Sequence, residues 1–375
     1  SMSLRAQRSN LNASKVKWPP GAAGSNKSSS GLREPVGVAG QFLAGEILRM
    51  TEKGLYCEAG NFHIDPLQPV DRAVITHAHA DHARRECRRY LAAREGLQIL
   101  RLRLGNEASI QAVPYGEHTY LDGIRVSLHP AGHILGSSQV RIEYRGQITV
   151  FSGDYKVQAD PTCRPLEVIR CHTFITESTF GLPVYRWPEP KEVLGDINAW
   201  WSANQNAGRA SLLYAYAAGK AQRVIMGLDV SLGPIFTHRS VEELNRRYRA
   251  SGIALPDTIS LDFAGKKTDV SGALIVAPPL VHGTEWTRPF KECSTGFASG
   301  WMRIRGMRRR RSVDRGFVLS DHVDWPGLLS VIRSTGAEEI FVCHGYTAVV
   351  VRTLKEKGLD AKTLDVPLAE DEESD

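Results

Sequence analysis

The chain has 375 residues, a net charge of +6, 42% hydrophobic residues and a pI of about 9.0. This length suffices for one large domain or two. No apolar run approaches the about 18 residues that a membrane-spanning helix needs, so we expect no contact with a membrane. The six cysteines form no Cys-x-x-Cys pair and no signal peptide is recognisable, so we expect reduced thiols and a cytoplasmic protein. The basic charge favours an acidic partner, although an ordinary basic enzyme would carry it equally well.

Composition divides the chain into five segments. Residues 1–40 are rich in Ser, Gly, Ala, Asn and Pro without any period, so we expect a disordered tail. Residues 41–182 predict the first part of a domain, 183–315 an α/β insertion, and 316–368 the return to the first domain. Residues 369–375 form an acidic tail.

The insertion shows strand-like and helix-like stretches in alternation. Residues 211–214 and 274–277 are strand-like, and 220–227 are helix-like. The capping box Ser240-Val241-Glu242-Glu243 opens a second helix, which we expect to end at Gly252. This alternation predicts a parallel sheet.

The most informative motif is His77-Ala78-His79-Ala80-Asp81-His82. It follows the apolar run 73–75 and precedes a stretch that we predict to be a helix closing at Gly96. The spacing directs His77 and His79 to one side of a turn and the Asp81-His82 pair to the other. Imidazole and carboxylate ligands suit zinc, and also manganese or iron, so the motif predicts two divalent metal ions.

Further ligands are expected downstream. His133 lies in a glycine-flanked loop, whereas Asp154 and His344 follow strand-like stretches. Strand ends of one sheet converge, so Asp154 can bridge two ions. The first predicted set is His77, His79, His133 and Asp154, and the second is Asp81, His82, Asp154 and His344.

These motifs together resemble the metallo-β-lactamase fold in its β-CASP nuclease branch. Glu177 in Thr-Glu-Ser-Thr-Phe, His322 in Ser-Asp-His and His344 in Cys-His-Gly match that branch, and Asp65 matches the early aspartate that orients the metal loop. The segments 54–57, 130–133, 299–302 and 315–322 are similar to the bacterial ligase-associated DNA exonucleases, relatives of the Artemis-like crosslink-repair nucleases. The resemblance runs from about residue 45 to about residue 368.

The resemblance implies an αββα metallo-β-lactamase sandwich with an inserted β-CASP α/β cap. It implies a DNA exonuclease for DNA repair, acting 5′→3′, that hydrolyses phosphodiesters with water activated by two zinc or manganese ions. Asp81 and Asp154 would serve catalysis as well as metal binding. His322 would protonate the leaving oxygen, and Glu177 would hold its imidazole in the charged form. Expected partners are single-stranded DNA or a duplex end, together with a DNA ligase and a helicase.

Arginines crowd the stretch that joins the insertion to the last segment. Such a cluster suits a phosphate backbone, but a localisation signal or a solvated loop has the same composition. Trp301 could stack on a base or pack at the domain junction. A second basic stretch, Arg84, Arg85, Arg88 and Arg89, follows the metal motif on the predicted helix. The members of the first cluster are Arg303, Arg305, Arg308, Arg309, Arg310, Arg311 and Arg315.

Three alternatives stay open at this point. His344, and Val323-Asp324 after His322, are features of RNA-processing β-CASP ribonucleases. A non-catalytic nucleic-acid-binding subunit is a second alternative, which the full set of ligands disfavours. A small-molecule hydrolase is a third, which the inserted cap and the arginines disfavour.

Overall fold

The structure is a computed structural model that describes residues 16–17, 47–261, 268–290 and 292–366. The predicted acidic tail and most of the predicted disordered tail lie outside these residues. The helices are α1 Leu97–Leu104, α2 Pro190–Asn206, α3 Lys220–Met226, α4 Arg239–Ala250, α5 Arg305–Arg310, α6 Trp325–Thr335 and α7 Thr347–Glu356. The 3₁₀ turns are Arg94–Gly96, Pro279–Val281, Glu285–Phe290 and Gly300–Arg303.

The described strands form three sheets. They are β1 Val16–Lys17, β2 Leu48–Thr51, β3 Gly54–Cys57, β4 Phe62–Ile64, β5 Arg72–Val74, β6 Arg89–Ala93, β7 Ile110–Val113, β8 Thr119–Leu121, β9 Ile124–Pro130, β10 Ser138–Tyr144, β11 Gln147–Phe151, β12 Thr173–Glu177, β13 Ser211–Ala215, β14 Ile235–Thr237, β15 Ile259–Ser260, β16 Leu274–Ala277, β17 Ser294–Ala298, β18 Arg315–Phe317, β19 Glu339–Cys343 and β20 Asp360–Thr363. The first sheet has the order β2-β3-β4-β5-β6-β7, and the second has β1-β8-β9-β10-β11-β12-β19-β20. The third has the order β15-β14-β16-β13-β17-β18.

The first two sheets share one apolar core. Val74 and Leu91 of the first sheet are buried in the same cluster as Val126, Ile142 and Ile175 of the second. Because strand side chains alternate between faces, each sheet can cover its other face with helices. Helices α1 and α4 pack against the first sheet, and α6 and α7 pack against the second. The succession is therefore helix, sheet, sheet, helix, and the predicted α/β class is confirmed.

The strands of the third sheet follow α1 and precede α6 in the sequence. All of their pairings are parallel, as the alternation of strands and helices predicts. Its central strands β13 and β16 are buried along their whole length, which suits a parallel sheet covered on both faces. Strand β18 spans the predicted boundary at residue 315. The sheet therefore ends where the chain returns toward the second sheet.

The helix predicted between the metal motif and Gly96 is wrong. Residues 83–88 form turns, and Arg89–Ala93 forms β6, which pairs in parallel with both β5 and β7. The alanines of this stretch suit a helix by propensity, but burial between two strands outweighs a preference worth a few tenths of a kcal/mol. The α-helix starts later, at Leu97.

Two other local predictions concern chain ends and caps. Val16–Lys17 pairs in parallel with β8, so a short strand lies within the stretch predicted to be disordered. Helix α6 begins as its sequence predicts, because the Asp324 side chain accepts a hydrogen bond from the Gly327 amide at 3.0 Å. It ends at Gly336, which has a left-handed φ of +63°.

Candidate metal centre

The histidine-rich loop begins where β5 ends and is braced by Asp65. The Asp65 carboxylate accepts hydrogen bonds from the Thr76 amide at 2.8 Å and from the Thr76 hydroxyl at 2.6 Å. Its Oδ2 atom also lies 2.8 Å from Nδ1 of His82. The Thr76 hydroxyl lies 3.0 Å from Nδ1 of His77. Asp65 therefore contacts the loop through Thr76 and His82, and both rings keep Nε2 for other contacts.

Two further rings are oriented by backbone carbonyls. Nδ1 of His133 lies 2.8 Å from the Asp321 carbonyl, and Nε2 of His79 lies 3.2 Å from the Ala218 carbonyl. A carbonyl can only accept, so each of these nitrogens carries the proton. The remaining nitrogens, Nδ1 of His79 and Nε2 of His133, are 3.2 Å apart and face one another. Two lone pairs directed at one point are the usual preparation for a shared cation.

Asp154 completes the first predicted set. Its Oδ2 atom lies 3.5 Å from Nε2 of His77, 3.8 Å from Nε2 of His133 and 3.4 Å from Nε2 of His82. One ligand atom from each of His77, His79, His133 and Asp154 lies within 4.8 Å of the others. Nε2 of His77 is buried and has no hydrogen-bond partner among the described residues. A buried ring nitrogen without a hydrogen-bond partner, beside three other atoms that can ligate a metal, fits a divalent cation.

The second predicted set is assembled in part. Nε2 of His82 lies 3.3 Å from Oδ2 of Asp81 and shares Asp154 with the first set. His344 lines the same small cavity as Asp81 and His82, with its ring centre 6.3 Å from that of His82. Among the described residues, His344 joins no group whose ligand atoms lie within 4.8 Å of one another. It follows β19 with a left-handed φ of +56°.

The electrostatics of the cluster favour positive charge. Burial, reinforced by the neighbouring imidazoles, lowers the pKa values of His77 and His133, so both rings are neutral as metal binding requires. Burial also acts to lower the pKa of His82, but the nearby carboxylates outweigh it and raise that pKa. Burial acts to raise the pKa of Asp154, yet the surrounding imidazoles hold it well below its usual range. Asp154 is therefore ionised and draws a proton or a cation toward it.

Glu177 and His322 form a buried pair beside this cluster. Nδ1 of His322 lies 2.9 Å and 3.1 Å from the two carboxylate oxygens of Glu177. The amide of Tyr155 donates to Glu177 at 2.8 Å and fixes its orientation. Asp154, Glu177 and His322 form a second group of ligand-type atoms within 4.8 Å. The Glu177 contact therefore orients the His322 ring through Nδ1.

A buried network of ions lies next to the metal centre and was not anticipated from the sequence. Lys156 Nζ lies 2.7 Å from Asp160 and 3.5 Å from Asp321, and it donates to the His133 carbonyl at 3.1 Å. Arg223 Nη1 lies 3.3 Å from Asp321, and Lys220 Nζ lies 3.8 Å from it. Arg223 and Lys220 belong to α3, whereas Lys156 follows β11. The network therefore connects α3 to the loop that carries His133. The only sequence signal was the position of Asp321 directly before His322.

The residues predicted to contact nucleic acid do not converge on one point as the predicted metal ligands do. Trp301 is half-buried and packs on Phe180 with ring centres 4.8 Å apart, so it has a packing role. Arg305 and Arg309 are exposed. Arg303 donates to the Val184 carbonyl, Arg311 covers the Phe297 ring at 5.2 Å, and Arg315 lies 3.7 Å from Asp196. The side chains of Arg308 and Arg310 lie outside the described part of the chain.

The second basic stretch is divided between two roles. Arg88 and Arg89 lie 3.5 Å and 2.7 Å from Asp71, so both form ion pairs with the residue directly before β5. Arg85 is exposed and lines a cavity beside His79. These arginines do not share a helix, since β6 replaces the predicted one.

No protein-family model matches the chain. A probable DNA ligase of Opitutus terrae is 30% identical over 311 residues, which cover 82% of this chain and 30% of that protein. The endoribonuclease ysh1 of Schizosaccharomyces pombe is 33% identical over 122 residues, covering 32% of this chain and 16% of the relative. The RNase aCSPSF2 of Saccharolobus solfataricus is 28% identical over 120 residues, covering 31% and 24%. The chain thus spans less than a third of the length of these relatives.

A solved structure is also similar, a protein of unknown function from Enterococcus faecalis. It has a TM-score of 0.53 and covers 79% of both chains at 13% identity, so the likeness concerns the fold alone. The sequence matches support the metallo-β-lactamase/β-CASP family that the motifs predict. Within the part of the chain that the structure describes, no helix has the length and apolarity needed to cross a membrane.

Proposed function

We propose that this chain is a metal-dependent phosphodiesterase that cuts DNA as an exonuclease. The observation that carries the proposal is the convergence of His77, His79, His133 and Asp154 beside the Glu177–His322 pair. A metal-ligand cluster next to an oriented imidazole provides both the parts that phosphodiester hydrolysis needs, a site for cations and a proton donor. The similarity to proteins named as endoribonucleases and an RNase supports a nuclease.

Each residue has a role in this proposal. His77, His79, His133 and Asp154 would hold one divalent cation, and Asp81, His82, Asp154 and His344 a second, with zinc preferred and manganese as the alternative. Such ions, when bound, activate water and neutralise charge on the scissile phosphate. His322 would protonate the leaving oxygen while Glu177 keeps the ring in place. Asp65 would keep the loop in register through Thr76.

The proposed architecture follows the resemblance. Residues 41–182 and 316–368 would form a metallo-β-lactamase sandwich, and 183–315 a β-CASP cap. We place the protein in the cytoplasm, in DNA repair, with a DNA ligase and a helicase as partners and 5′→3′ polarity. The match to a probable DNA ligase over 82% of this chain favours DNA. The shorter matches to ribonucleases favour RNA as the alternative substrate.

One substrate set tests the proposal. A single oligonucleotide is prepared as DNA and as RNA, labelled at either end, and incubated with zinc, manganese or magnesium. A ladder that shortens from the 5′ end of the DNA alone is the expected result. RNA cleavage would replace the proposal with the ribonuclease alternative, and a single internal cut in the DNA would replace the exonuclease mode with an endonuclease mode. Binding without cleavage in every metal would indicate a non-catalytic subunit. An Asp154→Asn preparation, purified in parallel, controls for contaminating nucleases.

A further inference from the structure

Helix α3 begins in direct contact with the loops that carry two of the predicted metal ligands. The carbonyl of Ala218, just before the helix, lies 3.2 Å from Nε2 of His79. Gly219, the first residue at the helix start, has a left-handed φ of +93°. A Cβ atom at Gly219 would overlap the side chain of Ile134, the neighbour of His133. The start of α3 therefore approaches the His133 loop as closely as a glycine allows.

Arg223, on the same helix, reaches groups outside the third sheet. Its side chain is buried, with 2% exposure. Its Nη1 atom donates to the Ser320 carbonyl at 2.5 Å and lies 3.3 Å from the Asp321 carboxylate. Its Nη2 atom donates to the side chain of Gln158 at 3.1 Å, and its Nε atom lies 3.8 Å from Asp160. The rigid guanidinium thus fixes the positions of two loops relative to α3.

One of these loops, residues 320–322, orients two residues of the site. The Asp321 carbonyl lies 2.8 Å from Nδ1 of His133. The Ser320 hydroxyl accepts a hydrogen bond from the His322 amide at 3.1 Å. Arg223 holds Asp321 both by its side chain and by the peptide that precedes it. The guanidinium has no acceptor and cannot bind a cation itself, so its effect on a metal ion passes through His133.

We propose that Arg223 is a positioning residue of the metal centre, and that α3 holds the rings of His79 and His133 in place for a metal ion. The inference takes its metal ligands from the proposed function and adds a dependence of zinc affinity on the contacts of α3. Groups that orient a ligating histidine through its other ring nitrogen typically contribute 10–100-fold to metal affinity. Arg223 acts through one such group, so its removal should weaken zinc binding by about tenfold.

The first test measures how tightly the full-length, zinc-loaded protein retains its metal against a competing chelator. Arg223→Gln should bind zinc about tenfold more weakly than wild type. Arg223→Lys should lie between the two, because it keeps the charge beside Asp321 but loses the second arm of the guanidinium. Arg249→Gln is the matched control. Arg249 contacts Glu242 at 3.2 Å and Thr258 at 2.9 Å, within the region of the third sheet, so its loss should lower the melting temperature without changing zinc affinity.

A second pair of variants does not depend on Arg223. Gly219→Ala places a Cβ atom against Ile134, so it should displace the His133 loop and weaken zinc binding. Gly252→Ala is the control, because Gly252 has a similar φ of +88° and a Cβ atom there would meet open space among the described residues. Both variants carry the same kind of backbone strain and should melt earlier than wild type. Only Gly219→Ala should change the affinity for zinc.

The outcomes separate this inference from the proposed function. Wild-type zinc affinity in folded Arg223→Gln and Gly219→Ala would overturn the positioning role, as would an equal loss of affinity in the two controls. Cleavage by the wild type in either case would leave the nuclease proposal standing. Conversely, weaker zinc binding in Arg223→Gln and Gly219→Ala alone, with no cleavage by the wild type in any metal, would support the positioning role and overturn the nuclease proposal. If Arg223→Gln does not fold, Gly219→Ala and its control decide.

Discussion

Two buried polar regions lie side by side in this protein and are built on opposite principles. Around Asp154, ring nitrogens and carboxylate oxygens converge, and these atoms can all act as acceptors. Around Asp321, ammonium and guanidinium groups meet carboxylates at 2.7–3.8 Å, so the charges neutralise one another. His133 belongs to both regions, because its ring faces Asp154 while its carbonyl accepts from Lys156. The first region is suited to bind a cation, and the second to hold elements together.

The largest effect is expected at Asp154. Asp154→Ala removes the oxygen that lies within 4 Å of three imidazoles, so the folded variant should lose both metal ions and activity. Elemental analysis of the purified protein measures the metal content. Asp196→Asn, an exposed carboxylate on α2, is the matched control and should retain wild-type metal. Wild-type metal content in a folded Asp154→Ala protein would rule out the bridging role.

The next effect concerns the proton donor. His322→Ala should keep the metal ions but lower the turnover rate by about 10²–10⁴-fold, because general acid catalysis contributes that much. A substrate with a better leaving group needs less help from an acid, so it should recover much of the loss. Steady-state rates on both substrates measure this. Equal damage to the two would assign His322 a binding or structural role.

A substitution in the second region, around Asp321, should lower the free energy of unfolding. Asp321→Asn leaves Lys156, Lys220 and Arg223 with too little negative charge in a buried site, which typically costs about 3–5 kcal/mol of unfolding free energy. Denaturant titration measures this loss. Arg352→Gln breaks the exposed pair with Glu356 and should cost less than about 1 kcal/mol. A loss as small as that of the control would mean that the network does not hold α3 to the His133 loop.

The same variant has a defined pH dependence. Burial acts to raise the pKa of Asp321, but Lys156, Lys220 and Arg223 outweigh it and depress that pKa. A depressed pKa gives stability that is present above the unfolded value of about 4 and is lost as the pH falls through the folded value. The stability difference between wild type and Asp321→Asn should therefore stay constant from about pH 8 to about pH 5 and shrink only in stronger acid. A difference that shrinks near neutral pH would contradict the assignment.

The smallest effect is expected on the surface arginines. Replacing the exposed Arg305 and Arg309 by Gln should reduce the salt slope of single-strand binding by about 0.7 for each phosphate that is no longer neutralised, without a change in melting. Arg311→Gln differs, because Arg311 covers the Phe297 ring and should also lower the melting temperature slightly. An unchanged salt slope in the double variant would remove these arginines from the binding surface.

Local sequence determined much of this protein. The strand ends that carry His77, Asp154 and His344, the parallel third sheet, and the capped helix α6 all follow from patterns a few residues long, because ligand spacing, capping and apolar runs act locally. The stretch after the histidine motif shows the limit. Its composition suits a helix, yet pairing with β5 and β7 makes it a strand.

Tertiary structure alone decided the contacts between distant segments. The carbonyls of Ala218 and Asp321, which orient His79 and His133, lie 139 and 188 residues away from those rings along the chain. A backbone carbonyl leaves no trace in the side-chain pattern, so no motif could reveal this orientation. The ion network around Asp321 and the cavity beside His79 depend likewise on how α3 and α4 pack against the first two sheets. Charge neutralisation and burial at these junctions arise only when the sheets come together.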